Sequence, residues 1–403
     1  WEQHAEFGMQ FKVEEFKVTL PSTPEGIKRF LASGAIPGIG EKTAAVIVDF
    51  FGNQTLDVLR NSSARLREVP LIGKKKADMI IKGWRESEAR RDAYIFLQGL
   101  GITPAYCARL FKTYGEEAPA VVRDNPYRLA EEVDGIGFLK ADQIAGALGI
   151  GRDSIARLTA AVVFSLNQLV QNGHTCCPEE ELLKSAMELT CEDLEKCRGG
   201  LKSALARHLL VADSGMIYTP QLLRAESKLP SLIVRLANVT DFAGRNMRMA
   251  MLPGTVLNDE QQNAVRNVAR YPLSIITGGP GVGKTTVVGA IVRSAKAARL
   301  NIALAAPTGR AAKRLSESTH LTAKTIHRLL MFDPTTGKFS YDENNPLDCD
   351  LLIVDEISML DIMLAFALFK ALRPGTIVVL VCDAAQLPSV GPGTVHRDFV
   401  QSQ

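Results

Sequence analysis

One stretch constrains this chain more than any other: Gly278-Gly-Pro-Gly-Val-Gly-Lys284-Thr285-Thr286, set between an apolar run and a helical length. It is a full G-x4-G-K-T match in the strand-loop-helix setting that a phosphate-cradling loop requires. Glycines let backbone N–H groups wrap phosphates, a lysine neutralises the β and γ oxygens, and a threonine hydroxyl ligates Mg2+. The spacing therefore assigns Gly278, Gly279, Pro280, Gly281, Val282, Gly283, Lys284, Thr285 and Thr286 to a nucleotide, with Lys284 acting in catalysis and Thr285 on the metal. The surrounding pattern agrees. Short β runs at Leu273 to Thr277, Ile302 to Ala306, Leu351 to Val354 and Thr376 to Cys382 alternate with helical lengths, which predicts a parallel sheet with helices on both faces. The run Leu351-Leu-Ile-Val ends in Asp355-Glu356. Asp355 is placed to hold the Mg2+ shell, and Glu356 to orient or deprotonate the attacking water.

Upstream the chain repeats itself. An apolar-x-Gly-apolar-Gly pattern, or a near copy, occurs at Ile36 to Gly40, Val69 to Gly73, Leu97 to Gly101 and Val133 to Gly137, and helix-like runs follow. Glycine N–H groups opening onto a helix start form an anion-binding concavity, and the pattern resembles helix-hairpin-helix repeats, which implies that Gly38, Gly40 and Lys42 of the first copy contact a DNA backbone. The second copy has Leu71 where the first glycine is expected, although Lys74, Lys75 and Lys76 follow it. For that copy, grip and scaffold both remain open. The third and fourth copies read as scaffold.

Composition excludes much else. With 46% hydrophobic and 23% charged residues the chain reads as a folded globular protein of two or three domains. Its longest aliphatic run, Ile377 to Cys382, falls well short of the ~18 residues of a membrane helix. Basic and acidic side chains balance at 20 and 20 in residues 1–150, 12 and 11 in 151–256, and 15 and 13 in 257–403. No general field implies nucleic acid, so any contact rests on local clusters. Seven cysteines without a CxxC pair argue for reduced packing residues and a cytoplasmic protein, and Cys176, Cys177, Cys191, Cys197 and His174 match no familiar zinc spacing. The start, Trp1-Glu-Gln-His4, lacks an initiating Met and a signal pattern and reads as a cut within a longer chain.

These motifs together resemble the RecD-like helicases, superfamily 1, B branch. Leu257 to Gln261 is similar to the Q-motif, Ala306 to Leu315 to motif Ia, Asp355 to Met359 to motif II and Asp383 to Ser389 to motif III, with Thr325-Ile-His327-Arg328-Leu between Ia and II. The repeats resemble helix-hairpin-helix modules, as in the long stand-alone bacterial members. The resemblance implies that Gln261 contacts the nucleotide base and that Gln386 senses the γ-phosphate. It implies that Pro307, Thr308, Gly309 and Arg310 meet single-stranded DNA, with Thr325 and His327 close by. Arg310, Lys313 and Arg314 suit phosphate tracking, although Lys313 and Arg314 also fit a solvated helix face. Cys382 departs from the family, which has Gly before the motif III Asp.

The implied architecture is an α/β P-loop (RecA-like) motor domain behind a mostly α-helical region. Its expected parts are a remnant of a small β-domain (1–25), helix-hairpin-helix repeats (26–152), a helical or winged-helix-like module (153–230), a linker (231–256) and motor domain 1A (257–403) with a hairpin insertion near 331–345. Asp, Pro and Gly between Met331 and Tyr341 spell that hairpin, with Phe339 and Tyr341 offering faces to separating bases. The implied activity is ATP- and Mg2+-dependent DNA unwinding or translocation, 5′ to 3′, by a bacterial cytoplasmic monomer at single-strand/double-strand junctions in repair or recombination. A P-loop ATPase that clamps or senses DNA is the alternative. The later helicase motifs and the second motor domain are absent from this sequence.

Overall fold

The computed structural model describes residues 2–4, 8–10, 21, 23–32, 36, 39–248, 250, 256–279, 281–383, 389 and 391–401. Two compact units, residues 1–150 and 151–403, make up the chain.

In the first unit, β1 (Glu2–His4) pairs antiparallel with β2 (Gly8–Gln10). The α-helices that follow among the described residues are α1 (Pro24–Ala32), α2 (Glu41–Phe51), α3 (Thr55–Asn61), α4 (Lys74–Gly99), α5 (Pro104–Tyr114), α6 (Ala118–Asp124), α7 (Arg128–Glu132) and α8 (Phe138–Ala147). The repeat explains three helix starts. The Ile39 N–H donates to the Ile36 carbonyl, Ile72 to Val69 and Ile136 to Val133, at 3.2, 3.2 and 3.1 Å. Each such turn buries its two apolar residues, about 1.5–3 kcal/mol per side chain, and leaves a glycine as the N-cap of α2, α4 or α8. None of these three glycines supplies a side-chain cap, so the first N–H groups of each helix lack that acceptor.

The third copy is something else. Ile102 N–H bonds the Leu97 carbonyl and Gly101 N–H the Gln98 carbonyl, with Gly101 at φ +75°. That is a Schellman cap ending α4, and α5 starts afterwards from Thr103 with Pro104 in its first turn. Helix α4 spans both cores of this unit, placing Ala77, Ile80 and Trp84 among the residues of α1 and α2 and Leu97 among those of α5 to α8.

The second unit begins with α9 (Ile155–Gln171), α10 (Glu179–Thr190) and α11 (Leu194–Ala206), backed by a small antiparallel sheet of β3 (Cys177–Pro178), β4 (Val211–Asp213) and β5 (Met216–Tyr218) in the order β3-β5-β4. Ser154 and Asp193 cap α9 and α11 through their side chains. Then come α12 (Pro220–Ala237) and α13 (Asp259–Arg270).

The main sheet is entirely parallel, in the order β6-β12-β11-β7-β8: β6 (Leu273–Thr277), β7 (Ile302–Ala306), β8 (Ala323–Thr325), β11 (Leu351–Val354) and β12 (Ile377–Cys382). Between its strands run α14 (Lys284–Ala297), α15 (Gly309–Thr319), α16 (Ile326–Leu329) and α17 (Ile362–Lys370), and α18 (Val395–Gln401) follows. Strand periodicity divides the buried residues cleanly. Leu352, Val354, Val378, Leu380 and Cys382 face one core, whereas Leu351, Ile353, Ile377, Val379 and Val381 face the other. Cys382 ends β12 opposite Thr277 and is 1% exposed, so the small thiol sits where the family has glycine without disturbing the strand.

Helix α12 packs into the first of these cores through Leu222, Ala225, Leu229 and Leu236, alongside Leu364 and Leu368 of α17. The segment expected as a connection thus contributes core residues, since Phe242 and Met247 join the second core and the Ala250 N–H bonds Ser294 Oγ. A two-strand hairpin, β9 (Phe332–Asp333) with β10 (Lys338–Phe339), leaves the sheet after α16. Phe339 and Tyr341, expected to present free aromatic faces, instead pack half-buried against the first core, and Phe332 is the exposed ring.

Candidate nucleotide and nucleic-acid site

A cleft of about 510 Å³ opens at the carboxyl ends of β6, β12 and β11, lined among others by Lys284, Thr285, Arg314, Glu317, Asp355, Glu356 and Asp383. Gly281 and Gly283 adopt φ +79° and +88°, a left-handed backbone that glycine enters without penalty. A side chain at Gly283 would also strike Gln261, whose Nε2 would lie 2.6 Å from the added carbon. Gln261 is locked from both ends. Its Oε1 accepts from the Asn258 N–H in a capping box at the start of α13, while its Nε2 donates to the Val282 carbonyl at 3.1 Å. The Lys284 amine donates to the Gly278 and Gly279 carbonyls and lies 3.5 Å from Asp383 Oδ2.

Across the cleft, Asp355 follows β11 and accepts the Glu356 N–H at 2.8 Å. Burial pushes the Asp355 carboxyl above its ordinary value, opposed by that N–H and by the charge of Lys284. Glu356 sits at φ 55°, ψ 42°, a left-handed conformation unusual for a residue with a side chain. Residues strained in this way cluster at functional sites. Thr285 hydroxyl and Asp355 carboxylate are hard oxygen donors in one cleft, which fits Mg2+, an ion that takes one or two carboxylates and completes its shell with phosphate and water. Among the described residues no group of three His, Cys, Asp or Glu is arranged to hold a metal, and no helix is long and apolar enough to cross a membrane.

The candidate DNA contacts of the second unit share this sheet edge. Ala306 at the end of β7 is in register with Thr325 at the end of β8, so Pro307, Thr308, Gly309 and Arg310 emerge beside Thr325. Both threonines are N-caps, Thr308 accepting from the Ala311 N–H and Thr325 from the Arg328 N–H, each at 3.2 Å. Each hydroxyl proton stays available to an acceptor. Gly309 and Arg310 are exposed. His327 is also exposed and rests between Phe332 and Phe339, its ring centroid 5.5 and 5.8 Å from theirs. Gly40 and Lys42 lie exposed at the start of α2 in the first unit. Gly38, Pro280 and Gln386 fall outside the described residues.

Two contacts escaped the sequence. Asp383 was legible only as part of motif III, and nothing local tied it to Lys284. Arg314, grouped with Arg310 and Lys313, instead turns into the nucleotide cleft, where its Nη1 lies 3.7 Å from Glu356 Oε1. Lys313 stays outside and pairs with Glu317.

A glycine loop between β6 and α14, with an acid pair ending a strand two places away, defines a P-loop nucleotide-binding domain. Family models agree and extend this: residues 261–392 match an AAA domain, 86–176 an ATP-dependent RecD2 DNA helicase HHH domain, and 29–86 a SAM-like helix-hairpin-helix tandem. The chain is RecD-like, with a helix-hairpin-helix region ahead of its P-loop domain. It is 34% identical to the ATP-dependent RecD2 DNA helicase of Deinococcus radiodurans over 97% of this chain and 57% of that protein. It is 38% identical to the RecBCD enzyme subunit RecD of Haemophilus influenzae over 36% of this chain and 26% of that one. The chain therefore spans little more than half the length of the first relative and about a quarter of the second. Among solved structures, a Pif1 helicase from Candida albicans is similar over 34% of each chain at 26% identity, with a TM-score of 0.27.

Proposed function

We propose that the chain is the DNA-binding region and first motor domain of an ATP-dependent DNA helicase or translocase. The observation that carries this is the convergence of Lys284, Thr285, Asp355 and Glu356 on one cleft, at the same sheet edge as Thr308 and Thr325. Lys284 exchanges its two carbonyl partners for the β and γ phosphate oxygens. Gln261 holds the loop from behind, and Gln386 is assigned to sense the γ-phosphate. Thr285 and Asp355 would hold Mg2+, which supplies charge neutralisation for the phosphates. Glu356 accepts the proton of the attacking water.

The DNA substrate is a single strand or a single-strand/double-strand junction, engaged by Pro307 to Arg310, Thr325 and His327, with Gly38, Gly40 and Lys42 of the first repeat holding phosphates. Travel 5′ to 3′ and a role in repair or recombination follow from the RecD-like family, and the seven free cysteines suit the bacterial cytoplasm.

The test is ATP turnover by the full-length protein with and without single-stranded DNA, and strand displacement from substrates with a 5′ or a 3′ overhang. Stimulated turnover with displacement from the 5′ overhang supports the proposal. Stimulated turnover without displacement from either would make the protein a DNA-sensing ATPase, and turnover indifferent to DNA would remove the assignment.

A further inference from the structure

The helix that starts at the proposed strand contact also supplies a cation to the proposed water-activating carboxylate. Arg314 Nη1 lies 3.7 Å from Glu356 Oε1, and Arg314 stands one turn from Arg310 on α15, where residues four apart share a face. Thr308, Gly309 and Arg310 form the start of the same helix, whose buried Ala311, Ala312 and Leu315 fix its rotation against the sheet. The two charged groups differ in setting. The Arg314 side chain is 61% exposed and that of Glu356 22%, so a pair of this kind is weak, contributes little to stability and exchanges partners readily. Its consequence falls on Glu356. A guanidinium 3.7 Å from one carboxylate oxygen holds that oxygen toward α15, and an oxygen so held is not free to meet the attacking water.

We propose that Arg314 is a positioning residue that restrains Glu356 until a single strand occupies the start of α15. A phosphodiester bound at Thr308 to Arg310 brings negative charge within one helical turn of Arg314 and competes for its guanidinium. Glu356 then takes the proton of the attacking water. DNA occupancy is thereby coupled to hydrolysis through one side chain. The inference rests on the assignment of Glu356 made above.

The experiment compares Arg314→Ala, Arg314→Lys and Glu356→Gln in the full-length protein, measuring ATP turnover with and without single-stranded DNA, KM for ATP and DNA affinity. For Arg314→Ala, DNA-free kcat is expected to rise at least about fivefold toward the stimulated rate, the lower end of typical coupling between sites. KM and DNA affinity should stay within about twofold, and Arg314→Lys should restore the low DNA-free rate. An unchanged DNA-free kcat overturns the proposal: with a fallen stimulated kcat, Arg314 contacts the transferring phosphate, and with weakened DNA binding, it contacts the strand. Retention of stimulated turnover by Glu356→Gln would instead remove the assignment of Glu356 itself, and the proposal with it.

Discussion

The Lys284 amine and the Asp383 carboxylate lie 3.5 Å apart, with Asp383 only 6% exposed. A carboxylate so sheltered from solvent keeps its charge poorly screened, and it competes with phosphate for the lysine. Lys284→Ala should weaken nucleotide binding more than tenfold, about 1.4 kcal/mol, and abolish hydrolysis with DNA affinity unchanged. Asp383→Asn should act oppositely on binding, tightening it severalfold. Fluorescent-nucleotide titration and DNA anisotropy measure both; tighter binding by Lys284→Ala, or looser binding by Asp383→Asn, would contradict this account.

Leu71 and Gly135 occupy equivalent places in the second and fourth turns, at φ 68° and 83°. Leucine pays roughly 1–2 kcal/mol for that backbone, and its side chain is 89% exposed. Glycine recovers most of that and gives back about 0.5–1 kcal/mol in unfolded-chain entropy. Leu71→Gly should therefore stabilise residues 1–150 by up to about 1 kcal/mol. Gly135→Ala should cost at least as much, because its new carbon would also meet Arg109 Nη1 at 2.6 Å. Denaturant midpoints decide the signs.

The hairpin β9-β10 has a root and a tip with different duties. Asp333 closes the tip by accepting from the Thr335 N–H and the Thr336 hydroxyl, while His327, Phe332 and Phe339 pack together at the root. Shortening Pro334 to Lys338 should leave DNA-stimulated ATP turnover intact and abolish strand displacement. Phe332→Ala should reproduce part of that loss. Loss of both activities together would make the hairpin a support of the fold.

His396 on α18 is buried, and its Nδ1 has no hydrogen-bond partner among the described residues. Burial, aided by the charge of Arg397, lowers its pKa against the opposing influence of Asp398. The unfolded chain gains a proton near pH 6.5, where the folded protein still refuses it. Stability contributed by neutral His396 is thus present above pH 6.5 and is lost as the pH falls through that value. His396→Phe should flatten the pH dependence of urea unfolding between pH 7.5 and 5.5, and an unchanged slope would assign it to other groups.

The nucleotide loop, the acid pair and the α/β alternation were readable in the chain because each is a local pattern. Consecutive glycines, a strand ending in two acids and a period of two carry their structural meaning within about ten residues. At Leu97 to Gly101 the repeated pattern ends a helix, with Gly101 as its left-handed cap, where the other three copies start one. Locality also left α12 without an address, since an apolar helix face reveals that it is covered but not by what. Arg310, Lys313 and Arg314 show the limit most clearly. Their spacing places them on the outer side of a helix, yet which of them meets Glu356 depends on how α15 lies against β7 and how far β11 carries the acid beyond it. Only tertiary packing settles those distances, because a side chain's partner is chosen by position in space and not by separation along the chain.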